Sequence, residues 1–264
     1  MGIEGVKEVI LVLSGKGGVG KSSVSAQLAM ALKSKGLSVG ILDADICGPS
    51  IPRMFACTQA RVLSTPAGWI PPPAPAGIKV LSLQLLLPPG QPDTAVIWRG
   101  PKKTAIIGQM LHNVDWADLD CLIIDTPPGT SDEHLALVDG VRPADGPGPK
   151  VRAVIVTTPQ LVSLVDVERQ VKFCQTVGLE IIGIVENMSG WTCQHCRHSV
   201  NLFSKGGGLQ LADKYSLAFL GSLFINPSIA SLLDSGINSA EEFSAALSPE
   251  YLSALQHIIA QITS

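Results

Sequence analysis

Eight consecutive residues, Gly15-Lys16-Gly17-Gly18-Val19-Gly20-Lys21-Ser22, follow a short apolar run and lead into a segment with helical spacing. This is the GxxxxGK[ST] pattern in the strand-loop-helix setting that gives it meaning. Its chemistry follows from geometry. Glycines let backbone N–H groups turn inward around phosphate oxygens, and the N-terminus of the following helix adds a favourable dipole. Lys21 is then expected at the outer phosphates, with the Ser22 hydroxyl on a Mg²⁺ ion bridging them and Ser23 continuing the same site. A Gly-rich turn without nucleotide is the bland alternative, disfavoured because all eight positions and the setting match.

Phosphoryl transfer to water also needs a carboxylate near the metal and a group that positions the attacking water. Asp125 closes the apolar run Cys121-Leu122-Ile123-Ile124, just before Thr126-Pro127-Pro128-Gly129-Thr130. Asp43 and Asp45 close another run, before Ile46-Cys47-Gly48-Pro49-Ser50. Any of the three could merely cap a turn. A phosphate loop in the same chain favours the chemical reading. Lys16 exceeds what the minimal pattern requires and by itself reads as a solvated cation beside the phosphates.

A second constellation is Cys193-Gln194-His195-Cys196. Two thiolates at this spacing can face one metal centre, yet two ligands complete neither a tetrahedral site nor a cluster site. A two-fold dimer would supply a second pair and make Cys₄, which suits a bridging 4Fe-4S cluster. Zinc held by Cys193, Cys196 and His195 or His198, a redox pair and a structural pair stay open at this point. An exposed loop histidine is the default for His195 and His198. Of the remaining cysteines, Cys47, Cys121 and Cys174 read as core or strand-helix residues, and Cys57 precedes a proline-rich stretch without a partner.

The elements that must position these groups are legible as short Val/Ile/Leu runs alternating with helical patterns. Strands are expected near 8–13, 38–43, 78–83, 95–98, 120–125, 151–157, 180–186 and 217–222. Helices are expected over 22–35, 101–113, 131–139, 160–176, 206–214 and 239–262. Runs such as Cys121–Ile124 need cover on both faces, so the expected fold is α/β, a doubly wound and mainly parallel sheet with helices on both sides. Ser64 to Gly77 and Arg142 to Lys150, both rich in proline, read as surface loops. Neither divides the chain, so residues 1–264 are expected to form a single domain with a CxxC loop near 189–200.

Composition narrows the function classes. In 264 residues, 46% are hydrophobic and 16% charged, with 19 Lys+Arg against 22 Asp+Glu for a formal net charge of -3. A disordered chain needs the opposite balance, and a whole-surface nucleic-acid binder needs clustered cations. Six cysteines are too sparse for a disulfide scaffold, which favours a reducing compartment such as the cytosol. No targeting segment is evident in the short apolar run Val9 to Leu13.

The phosphate loop with its extra Lys16 resembles the deviant Walker A motif of the SIMIBI-type dimeric ATPases that include nitrogenase iron protein, MinD, ParA and the iron-sulfur scaffold proteins. The resemblance implies that Lys16 reaches across a dimer interface to the partner's nucleotide. It implies that Asp125 and Gly129 belong to a Walker B and switch II segment, with Asp125 holding Mg²⁺ through water and Gly129 sensing the γ-phosphate. Asp45, in a switch I-like segment, becomes the water-orienting residue. Asn187, in Glu186-Asn187-Met188-Ser189, is implied to read the adenine edge of ATP; on residue types alone a plain turn Asn stays open.

Ser189-Gly190 through Cys196, Phe203-Ser204-Lys205-Gly206-Gly207-Gly208 and Trp98-Arg99-Gly100-Pro101 resemble the Mrp and nucleotide-binding-protein scaffolds. The match runs over most of the chain and lies nearest the smaller-subunit type, because no cysteine precedes Cys47. What it implies is an ATP-dependent scaffold, with ATP, Mg²⁺ and a labile 4Fe-4S cluster, that passes the cluster to cytosolic and nuclear apo-proteins. The implied partners are a second copy and a larger subunit with an N-terminal four-cysteine motif, targeting factors among them. Neither nucleic acid nor membrane is expected: Ser248 to Ser264 carries no Lys or Arg, unlike the basic amphipathic end of a MinD-type protein. A MinD- or ParA-like positioning ATPase and a zinc-stapled P-loop ATPase are the alternatives.

Overall fold

The computed structural model describes residues 2–66, 68–87, 100–142, 148–193, 196, 198–203 and 206–264. Its strands are β1 (Val6–Ser14), β2 (Val39–Asp43), β3 (Leu63–Thr65), β4 (Gly68–Ile70), β5 (Lys79–Ser82), β6 (Leu119–Asp125), β7 (Lys150–Thr157), β8 (Glu180–Thr192), β9 (Ser199–Val200) and β10 (Phe219–Ile225). The helices are α1 (Lys21–Ser34), α2 (Ile51–Met54), α3 (Leu83–Leu86), α4 (Gly100–His112), α5 (Asp132–Val141), α6 (Leu161–Thr176), α7 (Gly207–Tyr215), α8 (Pro227–Ser235), α9 (Ala240–Ala245) and α10 (Pro249–Ile262).

Seven strands run parallel in the order β10-β8-β7-β1-β6-β2-β5, and β9 pairs antiparallel with the end of β8. Side chains alternate between two cores as the strand period demands. Ile10, Val12, Ile41 and Ile123 pack on one face against Val24 and Leu28 of α1 and Leu255 and Ile258 of α10. Leu11, Leu13, Leu122 and Ile124 pack on the other against Ile107 of α4, Leu137 of α5 and Val171 of α6. Both faces of the sheet are covered, as the apolar strand pattern requires. The carboxyl ends of β1, β2 and β6 therefore converge on one edge, where ligands bind in open α/β sheets.

Four expectations need correcting. The helix expected over 239–262 is two, α9 and α10, because Ser248 caps the second by accepting from Tyr251 N at 3.3 Å and Pro249 cannot continue a helix from before. Helix α8 was missed, although Asn226-Pro227 announces it: the Asn226 side chain accepts from Ser228 N and Ile229 N with proline in the first turn. Ser64 to Gly77 is not simply a surface loop. It overlaps the β3–β4 hairpin and then straps the edge strand β5, with Val80 N donating to Pro72 O at 3.1 Å and Pro71, Ala74 and Ala76 buried; proline suits an edge because it offers no donor to a further strand. Strand β8 runs on to Thr192, well past the expected end near residue 186. The strand expected at 95–98, Trp98-Arg99, Gln194, His195, Arg197, Ser204-Lys205 and residues 143–147 of the second proline-rich loop lie outside the described residues.

Candidate nucleotide and thiol site

The turn from β1 into α1 is built on two left-handed glycines, Gly18 and Gly20, each at φ 80°. A side chain is strained there, and a Cβ on Gly20 would also collide with the Asn187 amide. Helix α1 starts at Lys21 without a side-chain cap among the described residues, leaving its first N–H groups directed at the loop. A cavity of about 230 Å³ results, lined by Ser14, Lys16, Gly17, Gly18, Val19, Gly20, Lys21, Ser22, Ser23, Asp45, Ser50, Met54 and Pro128. Lys16 to Ser23 of the expected phosphate loop all line it, whereas Gly15 and the expected γ-phosphate sensor Gly129 do not. Gly15 backs onto Asp166 of α6, where a Cβ would lie 2.5 Å from the Asp166 Cβ.

Asp125, fully buried at the end of β6, anchors the floor. Its Oδ1 accepts from Lys21 Nζ at 2.6 Å and Ser25 Oγ at 2.7 Å, and its Oδ2 accepts from Ser22 Oγ at 2.6 Å. A buried ion pair this well hydrogen-bonded offsets its desolvation cost. The donor set fits a nucleotide with Mg²⁺: hard oxygens from Ser22 and Asp125, an ammonium beside them, and a glycine cradle above. Lys16 reaches Gln160 Oε1 at 3.3 Å, at the start of α6.

Asp43 and Asp45 have separate places. Asp43 is buried, and its carboxylate accepts from the backbone N–H groups of Asp45, Ser50 and Ile51 at 3.0–3.2 Å. Burial, with the neighbouring Asp125 charge, pushes its carboxyl above the usual carboxylate range. Asp45 is half-buried on the cavity wall and accepts from Gly48 N at 3.2 Å. Cys47, expected as a core or strand-helix residue, is exposed and hydrogen-bonded to Lys103, which it and Glu133 hold above the usual lysine range. Burial alternates along the segment after β2, with Ala44 and Ile46 in the core, and this alternation leaves Cys47 on the outer side. Cys57 belongs to the core, as do Cys121 and Cys174, and burial lifts all three thiols above the ordinary cysteine range.

Two buried side chains were missed by sequence reasoning. His134 forms a capping box with Ser131 at the start of α5, meets Phe173 edge-on at 5.9 Å, and is pulled down by burial to about 4. The signal was Ser131-x-x-His134, one residue type away from the common capping box. Gln170 of α6 donates to Ser14 O at 3.1 Å and to Gly129 O at 2.6 Å. No sequence pattern marked it.

Strand β8 links the phosphate loop to the thiols. Asn187, within β8, is buried and donates from Nδ2 to Val19 O at 2.9 Å. Its neighbour Glu186 accepts from Gly208 N at 2.7 Å, fastening the Gly206-Gly207-Gly208 start of α7 to the same strand. From there β8 continues to Thr192, which pairs with Ser199, and the Cys193 N–H donates to His198 O at 2.9 Å. Cys193 is half-buried and Cys196 exposed at this tip. Among the described residues no third histidine, cysteine or carboxylate joins them to complete a metal site.

Comparison with known proteins places this arrangement. The family model described as ParA, NUBPL iron-transfer P-loop NTPase, matches residues 5–263. The chain belongs to this family. Its relatives include the cytosolic Fe-S cluster assembly factors nubp2 of Xenopus tropicalis, 47% identical over 99% of this chain and 96% of the relative, and NUBP2 of Homo sapiens, 49% identical over 91% and 88%. Among solved structures, a nucleotide-binding protein from Archaeoglobus fulgidus in complex with ADP, with cobalt found in it, is 35% identical at TM-score 0.76 and covers 94% of this chain and 96% of its own. The cell division ATPase MinD of Pyrococcus furiosus, 19% identical at TM-score 0.65 over 97% and 98%, shares the fold. As an iron-transfer P-loop NTPase the chain has the α/β fold expected from its strands, and no helix of its described residues is long and apolar enough to cross a membrane.

Proposed function

We propose that this protein is an ATP-hydrolysing scaffold, a single ATPase domain over residues 1–264, that assembles a labile 4Fe-4S cluster across a dimer interface and transfers it to cytosolic and nuclear apo-proteins. The observation that carries the proposal is the position of Cys193 and Cys196 at the exposed tip of the strand whose Asn187 touches the phosphate loop. Two thiolates per chain call for a second chain, either another copy or a larger subunit with its own cluster motif. The relatives' names, cytosolic Fe-S cluster assembly factors, support both the cargo and the compartment.

In this reading, Gly15 opens the loop and Lys16 to Ser23 bind the polyphosphate, Lys21 neutralises its outer charge, and Ser22, with Asp125 through water, would hold Mg²⁺, which would supply charge neutralisation at the transferring phosphoryl group. Asp45 orients the attacking water, and Asp43 keeps the Asp45 segment in place through three backbone N–H groups. Lys16, beside Gln160, reaches the partner's nucleotide, and Asn187, whose Nδ2 holds the Val19 carbonyl of the loop, reads the adenine edge through its Oδ1. Nucleotide state can change cluster affinity only through a differential interaction with the two subunit arrangements. The test is cluster transfer from the reconstituted protein to an apo 4Fe-4S protein with ATP, ADP or no nucleotide. Transfer that depends on which nucleotide is present supports the reading, and transfer indifferent to nucleotide contradicts it.

A further inference from the structure

One hydrogen-bonded knot joins the phosphate loop to the segment after β6. Gly129 N and Gln170 Nε2 both donate to the single carbonyl of Ser14, at 2.9 and 3.1 Å, while Gly129 O accepts from the same Nε2 at 2.6 Å. Gln170 is fully buried, and its Oε1 has no hydrogen-bond partner among the described residues. Asp166 and Phe173, on the same face of α6 by helical spacing, touch Gly15 and His134. One face of α6 therefore contacts both segments that surround the phosphates.

We propose that Gln170 is a positioning residue that relays a hydrogen bond when Gly129 responds to the terminal phosphate. This rests on the nucleotide-sensing reading of Gly129 given above. For the Gly129 N–H to reach a phosphate oxygen it must leave Ser14 O, a carbonyl in a fully buried residue. An abandoned buried acceptor is costly, but the Gln170 amide already sits on it and keeps it satisfied. The same amide proton pair then shifts its weight from Gly129 O to Ser14 O, so movement of Gly129 is felt by α6. Gln170 lowers the cost of the ATP state and leaves the ADP state untouched.

The experiment compares the affinities of wild type and Gln170→Met for ATPγS and ADP, together with kcat and KM for ATP hydrolysis. Methionine keeps the length and removes the donor. The expected result is ADP affinity within about twofold of wild type, ATPγS affinity about tenfold weaker, and kcat lowered at least tenfold. Equal weakening for both nucleotides, or no change in either, overturns the relay. If wild type itself does not distinguish ATPγS from ADP, the Gly129 reading falls and the relay with it; discrimination retained in the variant sinks the relay alone. Should the variant not fold, the Gln170 side-chain amide resonance of wild type decides instead. It moves between the ADP and ATPγS states if the relay operates, and an unmoved resonance contradicts it.

Discussion

Asp43 and Asp125 lie opposite each other in the β2–β6 ladder, both buried, and they use their charges differently. Asp125 gathers Lys21, Ser22 and Ser25, whereas Asp43 gathers backbone N–H groups and is pushed toward its protonated form. The two substitutions Asp125→Asn and Asp43→Asn should therefore differ. The first leaves Lys21 buried against a neutral amide and should cost about 3–5 kcal/mol of unfolding free energy, with hydrolysis lost. The second removes a charge that the fold already disfavours and should cost less, about 1–2 kcal/mol for imperfect hydrogen bonding. Urea unfolding of the three proteins without nucleotide checks the ranking, and equal losses would contradict it.

His134 gives the protein an acid-sensitive element. Its folded-state value, about 4, lies below the ordinary 6.5 because burial disfavours the charged ring. The unfolded chain thus binds the proton first as pH falls, so stability is complete above about pH 6.5 and drains away between there and pH 4. The loss over that window should be on the order of 3 kcal/mol. In His134→Gln the stability profile over pH 4–6.5, followed by thermal melting, should be flatter; an unchanged slope would assign the acid sensitivity elsewhere.

Much of this was legible because backbone demands and residue types coincide. Gly18 and Gly20 had to be glycine for their left-handed turn, and the apolar runs of β1 and β6 had to be central strands. The acids were found as strand ends, but their separate jobs were not, because Asp43 and Asp45 differ by one turn of direction that only the path after β2 decides. Sequence periodicity failed where one residue overrides a pattern: Pro249 splits an apolar helical stretch, and the strap over β5 uses prolines as edge cover. Gln170 was invisible because its partners, Ser14 and Gly129, are backbone carbonyls far away in sequence.

Gly20→Ala probes the junction of the two halves of the site. The new methyl meets the Asn187 amide from a left-handed position, so loop and strand must separate. Nucleotide affinity should fall at least tenfold, with stability lowered by about 1–3 kcal/mol. Isothermal titration with ADP measures the first and chemical denaturation the second; near-wild-type binding would show that the Asn187 contact does not shape the loop.

Lys16→Ala separates binding from hydrolysis. Lys16 lines the phosphate cavity but makes its described hydrogen bond to Gln160 rather than to Asp125, so ADP affinity should stay within about threefold. Hydrolysis should fall at least tenfold if its ammonium acts on the partner's nucleotide. Turnover and ADP titration on the same preparation check this, and undiminished turnover would remove Lys16 from the chemistry.

Anaerobic reconstitution with iron and sulfide, measuring iron and sulfide per chain and the mass of the assembly in wild type and in Cys193→Ala/Cys196→Ala, decides whether the two thiols hold a cluster between chains. Wild type should hold about four irons and four sulfides per dimer, lost in the double variant while ADP binding persists. Zinc bound without sulfide, or iron retained after both cysteines are removed, would contradict it.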